Sequence, residues 1–399
     1  MRDRAQLAWL RIAAAESMRP SHARALLSHF GDAAAVEAAA MGADAGPPPE
    51  DLTAAAYASL LASVRRCDPA SELERLARVG GDIIPFDDPR FPRSLMQIPD
   101  PPSALRVAGD PAVLAGVCVA VVGTRRCSEA GTRQAGRFAG SLSGSGLTIV
   151  SGGARGIDAE AHRATLRAGG RTAVVMGCGI GRVYPPEHGT LFDSVRKAGG
   201  VLLSEYPMDR GPRPGQFPRR NRLISGLSAG VLVVEAPRRS GAMLTARLAV
   251  ESHGRDCWAV PGDAGQRACR GGLEAIRDGW AACVLDPADV LADVVADVGG
   301  DVVVGDVCGA DGAASQTPPE LGAVLAPMEF AVVQALRRGG CAIGTLIEEL
   351  GHPIGGLMRA VTALELSGIL TRAGSQLSLT PAGLQVAAAH RRAVRDQPS

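Results

Sequence analysis

The apolar positions fall into successive rhythms along the chain. Over residues 1–66 they recur at helical spacing, in Leu7, Leu10 and Ile12 and again in Ala23, Leu26, Leu27 and Phe30, with Gly31 placed to stop a helix. Three prolines at 47–49 separate these from a further helix over 51–66. Residues 67–115 predict a helix near 71–79 and then carry Pro85, Pro89, Pro92, Pro99, Pro101 and Pro102. Proline neither donates to a ladder nor sits inside a helix, so this stretch predicts an extended connector packed on another element.

A different rhythm holds over 116–295. Short Val-rich runs at 117–122, 147–150, 172–176, 200–203, 230–235 and 256–260 alternate with helical patterns at 130–143, 157–168, 188–198, 219–227 and 242–253. Alternating strands and helices predict an α/β fold with a doubly wound parallel sheet. The strand runs are apolar throughout, as strands covered on both faces must be. Residues 296–322 are rich in Gly, Asp and Ala and predict an acidic linker. Over 323–390, helical patterns at 328–337, 343–350 and 354–367 precede a strand-turn-strand across 369–379, which predicts a winged helix.

Composition and charge narrow this picture further. The chain has 399 residues, 46% hydrophobic and 21% charged, and no run of apolar residues suited to a membrane span. Arg11 and Glu16 interrupt the first apolar stretch, so no signal peptide is expected. Nine cysteines without a C-x-x-C spacing argue against a disulfide framework or a zinc site and fit a reducing cytoplasmic setting. The single lysine, Lys197, follows Arg196, so no Walker A motif exists and P-loop ATPase chemistry is excluded. Ten acidic and no basic residues lie between Asp278 and Glu329. A net charge of +1 with −10 confined there leaves about +11 on the rest, a balance suited to an anionic partner.

The basic charge gathers where predicted strands end. The first strand runs into Gly123-Thr124-Arg125-Arg126, and the second into Ser151-Gly152-Gly153-Ala154-Arg155-Gly156. Ligands of doubly wound sheets bind beyond the strand carboxyl ends, where helix N-termini present free N–H groups. Both loops are candidates to cradle an anion, with Arg125 and Arg155 as phosphate contacts. Residues 210–222, RGPRPGQFPRRNR, hold five arginines and no acid around Phe217. Arginines that track phosphates beside an aromatic that stacks on a base suit single-stranded nucleic acid. Ser240-Gly241 opens a later helix, as a cap or as a further anion contact. Asp158 and His162, four apart on one helix, read either as an acid–base pair or as a hydrogen-bonded structural pair. No nucleophile or metal set accompanies them, which favours the structural reading. Gly226-Leu227-Ser228-Ala229-Gly230 matches G-x-S-x-G, but a helix precedes it and a strand follows, the reverse of a nucleophile elbow.

Taken in order, VVGTRR, SGGARGIDAEAH, VYPPEH, LLSEYP, FPRRNRLISGLS, VLVVEA, SGAMLTA and AVPG resemble the DNA-processing protein A family over about 117–285. The resemblance implies a Rossmann-like domain that binds single-stranded DNA, forms a homodimer and loads RecA recombinase onto incoming DNA in natural transformation. It also implies an N-terminal all-α domain and a C-terminal winged helix, with no catalytic activity, cofactor or metal. By motif position it implies DNA contacts from Gly123, Thr124, Arg125, Ser151, Gly152, Gly153, Arg155, Gly156, Phe217, Arg219, Asn221, Arg222, Ser240 and Gly241. The family's S-x-G-x-N-x-L-I-R-D-G-A stretch reads Cys269-Arg270-Gly271-Gly272-Leu273-Glu274-Ala275-Ile276-Arg277-Asp278-Gly279-Trp280 here. The competing reading is a nucleotide-processing, phosphoribohydrolase-like enzyme on a similar sheet. Its P-G-G-x-G-T-type loop is poorly matched by Ala259-Val260-Pro261-Gly262-Asp263.

Overall fold

A computed structural model describes residues 4–42 and 45–298, and beyond them 332, 333, 335, 336, 341, 342, 345, 346, 354–366, 369–373 and 376–380. Two compact units divide the chain, residues 1–309 and 310–399.

In the first unit, helices α1 (Arg4–Ala14), α2 (Pro20–Phe30), α3 (Ala33–Met41), α4 (Ala54–Arg66) and α5 (Pro69–Ala77) lead into strand β1 (Gly81–Pro85). A short α6 (Arg93–Met96) and β2 (Ala104–Gly109) follow. The alternating region then supplies β3 (Cys118–Val122), α7 (Glu129–Gly144), β4 (Thr148–Ser151), α8 (Ile157–Arg167), β5 (Thr172–Val175), α9 (Gly189–Lys197) and β6 (Val201–Ser204). After these come α10 (Gln216–Leu227), β7 (Gly230–Val233), α11 (Gly241–Arg247), β8 (Asp256–Ala259), α12 (Arg270–Arg277), β9 (Ala282–Cys283) and α13 (Pro287–Val298).

One sheet runs in the order β1-β2-β6-β5-β4-β3-β7-β8-β9. Strands β3 to β9 are mutually parallel; the strand-helix alternation predicts β3 to β8, and the two-residue β9 adds an edge it did not predict. The stretch expected to be an extended connector corrects that picture. Its β1 and β2 pair antiparallel with each other, and β2 pairs antiparallel with β6, so the sheet is mixed. Ile83, Ile84, Leu105 and Val107 are buried strand residues. The prolines that masked them fall at the end of β1 or outside both strands, where no ladder donor is lost.

Period-2 alternation sorts the central strands between two cores. Cys118, Ala120 and Val122 face Leu223, Ile224 and Leu227 of α10 and Met243 of α11. Val119 and Val121 face Phe138 and Leu142 of α7, Ile157 and Ala161 of α8, and Val290 and Val294 of α13. Each large apolar side chain buried this way contributes about 1.5–3 kcal/mol. Trp258 lies almost wholly buried on the second face, and its indole N–H donates to Asp293 Oδ2 at 2.8 Å.

The boundary expected at residue 66 is not a break in packing. Leu10, Ala13 and Ala14 of α1 share a core with Ile83 of β1, Ala108 of β2 and Leu202 of β6. Ile12 of the same helix and Ala15 just past its end pack with Leu26, Val36, Leu60 and Val64. Helix α1 therefore belongs to two cores at once, and the N-terminal helices form a layer on the sheet.

In the second unit, β10 (Cys341–Ala342), helix α14 (Ile354–Leu366), β11 (Leu370–Ala373) and β12 (Gln376–Leu379) give a three-stranded antiparallel sheet ordered β10-β12-β11. Leu357, Val361 and Leu364 of the helix pack with Leu370 and Leu377 of the hairpin. Most of the helical patterns expected at 328–337 and 343–350 lie outside the described residues. So do residues 299–322 of the linker expected over 296–322, whose first three residues instead end α13, and the chain beyond 380.

Candidate functional site

Strand carbonyls left unpaired at the carboxyl edge of a sheet need donors, and here side chains of α10 supply them. Gln216 Nε2 donates to Gly177 O at 2.8 Å. Arg220 Nη1 donates to Gly152 O at 2.7 Å and also to Val175 O. Asn221 Nδ2 donates to Gly241 O at 3.1 Å. Helix α10 is thereby fixed over the ends of β4 and β5 and beside the start of α11.

The loop after β3 is tied to its neighbours through the backbone. Thr124 N donates to Glu235 O at 2.6 Å, and Ile157 N donates to Thr124 O at 3.2 Å. Glu235, nearly buried, accepts from both the backbone N–H and the hydroxyl of Ser128. Close approach makes two glycines obligatory. A Cβ on Gly123 would lie 2.4 Å from the Ile157 side chain. Gly156 has φ +76°, and a Cβ there would lie 2.3 Å from Thr124 O.

These loops enclose a groove of about 720 Å³ beyond the carboxyl ends of β3, β4 and β7. Gly123, Thr124, Arg125, Phe217, Asn221, Ser240 and Gly241 line it. Gly152 and Arg155 line an adjoining recess with Arg125 and Phe217. Phe217 is half-buried at the centre, its ring 5.3 Å from that of Tyr184 and 5.9 Å from the Arg125 guanidinium carbon. Arg125, Arg126 and Arg213 are exposed on the groove and make no ion pair among the described residues.

Arg220 forms the floor. It is 4% exposed, and its Nε has no hydrogen-bond partner among the described residues. Burial pulls its pKa down to about 10, against the opposing pull of Asp158. Burial raises Asp158 above the usual carboxylate range, while Arg220 and the N–H groups of the 152–154 loop act the other way. Asp158 Oδ2 accepts from Ala154 N at 3.3 Å.

Several expected contacts lie elsewhere. Ser151 is fully buried and donates to Val121 O at 2.6 Å, so it belongs to the sheet. Gly153 is also buried, beneath Val174 and Phe192. Arg219 and Arg222 are three apart and share the face of α10 opposite the groove. Arg222 is buried between Glu205, at 2.7 Å, and Asp100, at 3.3 Å. Arg219 Nε lies 3.5 Å from the other oxygen of Glu205. Helical periodicity points Phe217, Arg220 and Asn221 to one side and Arg219 and Arg222 to the other. Arg155 is exposed but paired with Glu187. Ser240 caps α11, accepting from Met243 N at 3.2 Å. Asp158 and His162 do not bond to each other, because His162 Nδ1 is 2.7 Å from Thr172 Oγ1. The sequence reading counts Arg213 and Arg220 only as members of the basic stretch, and it leaves Tyr184 and Arg126 out of the site. Arg213 and Arg220 stand in the basic stretch, and Tyr184 stands in VYPPEH.

No helix among the described residues is long and apolar enough to cross a membrane. A family model described as DNA recombination-mediator protein A matches residues 82–295. Protein Smf of Escherichia coli is 43% identical over 212 residues, which is 53% of this chain and 56% of that protein. The chain thus spans little more than half the length of that relative. The DNA processing protein DprA of Bacillus subtilis is 38% identical over 54% of this chain and 72% of its own. Among solved structures, DNA processing protein A from Streptococcus pneumoniae superposes with a TM-score of 0.54 at 36% identity, covering 59% of this chain and 81% of that one.

Proposed function

The chain belongs to the DNA recombination-mediator protein A family, and on that footing we propose that it binds single-stranded DNA in the groove beyond β3, β4 and β7. One observation carries the reading: Arg125, Arg126 and Arg213, in no ion pair among the described residues, line the groove with the half-buried Phe217–Tyr184 pair. Cations along a groove hold phosphates without regard to sequence, and an aromatic face accepts any base. A base can reach Phe217 only when its own face is free, which favours a single strand over a stacked duplex. Arg220 adds positive charge at the floor, where water screens it less.

On this reading Arg125, Arg126, Arg213 and Arg220 contact phosphates and Phe217 with Tyr184 stacks on bases. Gly123, Thr124, Gly152, Gly156, Asn221, Ser240 and Gly241 shape the groove. The protein is a non-catalytic mediator that loads RecA recombinase onto single strands. It acts in the cytoplasm as a homodimer formed through the sheet domain and needs no cofactor. The second unit is a winged helix that serves a protein contact.

The test is a titration of labelled oligo-dT and of a duplex of equal length at two salt concentrations. Preference for the single strand, with affinity falling as salt rises, is the expected result. Equal affinity for duplex, or release of base from a nucleoside monophosphate, overturns the reading. RecA loading is tested by the rate at which RecA ATPase activity appears on strands already coated by a single-strand-binding protein.

A further inference from the structure

A second cleft, of about 770 Å³, opens at the opposite end of the sheet, where β3 and β7 begin. Phe91, Pro92, Leu114 and Leu227 give it an apolar wall. Most of its polar groups are already engaged. Arg90 is held by Asp82 at 2.9 Å and by Asp88 at 2.7 Å. Asp110 Oδ1 accepts from Ala112 N at 2.9 Å, and Ser228 Oγ donates to Ile224 O at 2.9 Å.

Two cations remain. Arg93 is exposed, with no ion pair or side-chain hydrogen bond among the described residues. Arg255 donates through Nη2 to Gln97 Oε1 at 2.8 Å, while its Nε is buried with no partner among the described residues. Arg93 and Gln97 are four positions apart, on one side of α6 and its C-terminal cap. The Gln97–Arg255 contact therefore brings both guanidinium groups to the same side of the cleft.

We propose that this cleft takes the carboxy terminus of an acidic peptide. Arg93 and Arg255 hold its carboxylates, and a bulky terminal apolar side chain lies against Phe91, Leu114 and Leu227. Guanidinium groups bind carboxylates through paired N–H donors, and those of exposed Arg93 have no partner among the described residues. A sugar or nucleotide would bring many hydroxyl and ring polar atoms, for which the wall offers few free partners. The cleft lies a strand's length from the groove, roughly 16 Å along the five residues of β3. Peptide and DNA would therefore occupy the protein together.

Fluorescence anisotropy of the full chain with a labelled hexapeptide, Asp-Asp-Asp-Gly-Leu-Phe with a free carboxyl end, tests the proposal. Saturable binding is expected. Amidating the peptide terminus, exchanging its Phe for Ser, or making the double change Arg93→Ala and Arg255→Ala should each weaken it at least about fivefold, near 1 kcal/mol. Saturating oligo-dT should leave the peptide affinity within about twofold. Absence of binding, or binding indifferent to these three changes, overturns the proposal. Displacement by oligo-dT overturns it as well, because it places the peptide in the DNA groove.

Discussion

Arg106 and Glu72 meet in the interior in a two-point contact, Nε to Oε1 at 3.2 Å and Nη2 to Oε2 at 3.1 Å. Arg106 is 2% exposed and Glu72 4%. Arg106 also donates to Ala14 O at 2.7 Å and to Glu205 O at 3.1 Å, and Glu72 Oε1 accepts from Met208 N at 2.7 Å. The pair therefore ties α1 and α5 to β2 and to the loop after β6, on which the second acidic partner of α10 stands. Removing one member strands a buried charge. Glu72→Ala should lower unfolding free energy by about 3–5 kcal/mol, and the double change Glu72→Leu with Arg106→Met should recover most of that. Urea denaturation of the three proteins decides it. A double variant no better than Glu72→Ala would mean that the pair's hydrogen bonds to Ala14 and Met208 dominate.

In the groove, Arg125→Ala and Arg213→Ala should weaken binding to every single-stranded sequence alike. Each should lower the salt slope by about 0.7. Phe217→Ala should cost about 1–3 kcal/mol with the slope unchanged. Oligo-dT titrations from low to moderate salt read both quantities.

The opposite face of α10 should behave differently. Arg222→Ala leaves Glu205 buried without its 2.7 Å partner and should lower stability by about 2–4 kcal/mol. Arg219→Ala should leave the salt slope of DNA binding as it is in the parent protein. A drop of about 0.7 in that variant would return Arg219 to the phosphate path.

His162 carries a pH dependence. It is fully buried, and burial first, then the charges of His188 and Arg220, pulls its pKa from 6.5 to about 3. The folded state therefore keeps His162 neutral between these values while the unfolded chain binds a proton. Full stability is present above 6.5 and is lost as pH falls, by up to about 1.4 kcal/mol per unit. Asp158, raised by burial, has the opposite sign and offsets part of this in the acidic range. Urea midpoints between pH 7.5 and 5 should fall less steeply for His162→Gln than for the parent.

The second unit should matter little for DNA affinity. Its helix α14 carries Arg359 against Glu365 as its only charged residues, whereas helices that read DNA present several basic or amide side chains. Protein lacking residues 323–399 should bind oligo-dT within about threefold of the full chain, under about 1 kcal/mol. A tenfold loss would make this unit a DNA reader.

The alternation of Val-rich runs with helical patterns places β3 to β8 and the helices between them to within a few residues, but not the two-residue β9 or the helices α12 and α13 around it. The apolar period and the glycine stops are local properties of the chain, and the sheet follows from them. The same locality exposed the loops after β3 and β4 and the aromatic in the basic stretch. What the sequence could not show was which side of a helix a charge takes, or which neutral stretch joins the sheet. Arg219, Arg220 and Arg222 are chemically alike in sequence. Only the docking of α10 sends Arg220 under the groove and turns Arg222 to Glu205 and Asp100, because those acids arrive from distant loops. Ser151 reads as a loop donor and is a strand residue, since the ladder with β5 runs one residue further than the apolar run. Strands β1 and β2 hid behind prolines, because the hydrogen bonds that define them come from each other and from β6, far along the chain. Tertiary structure decided these points because each depends on a partner that no local window contains.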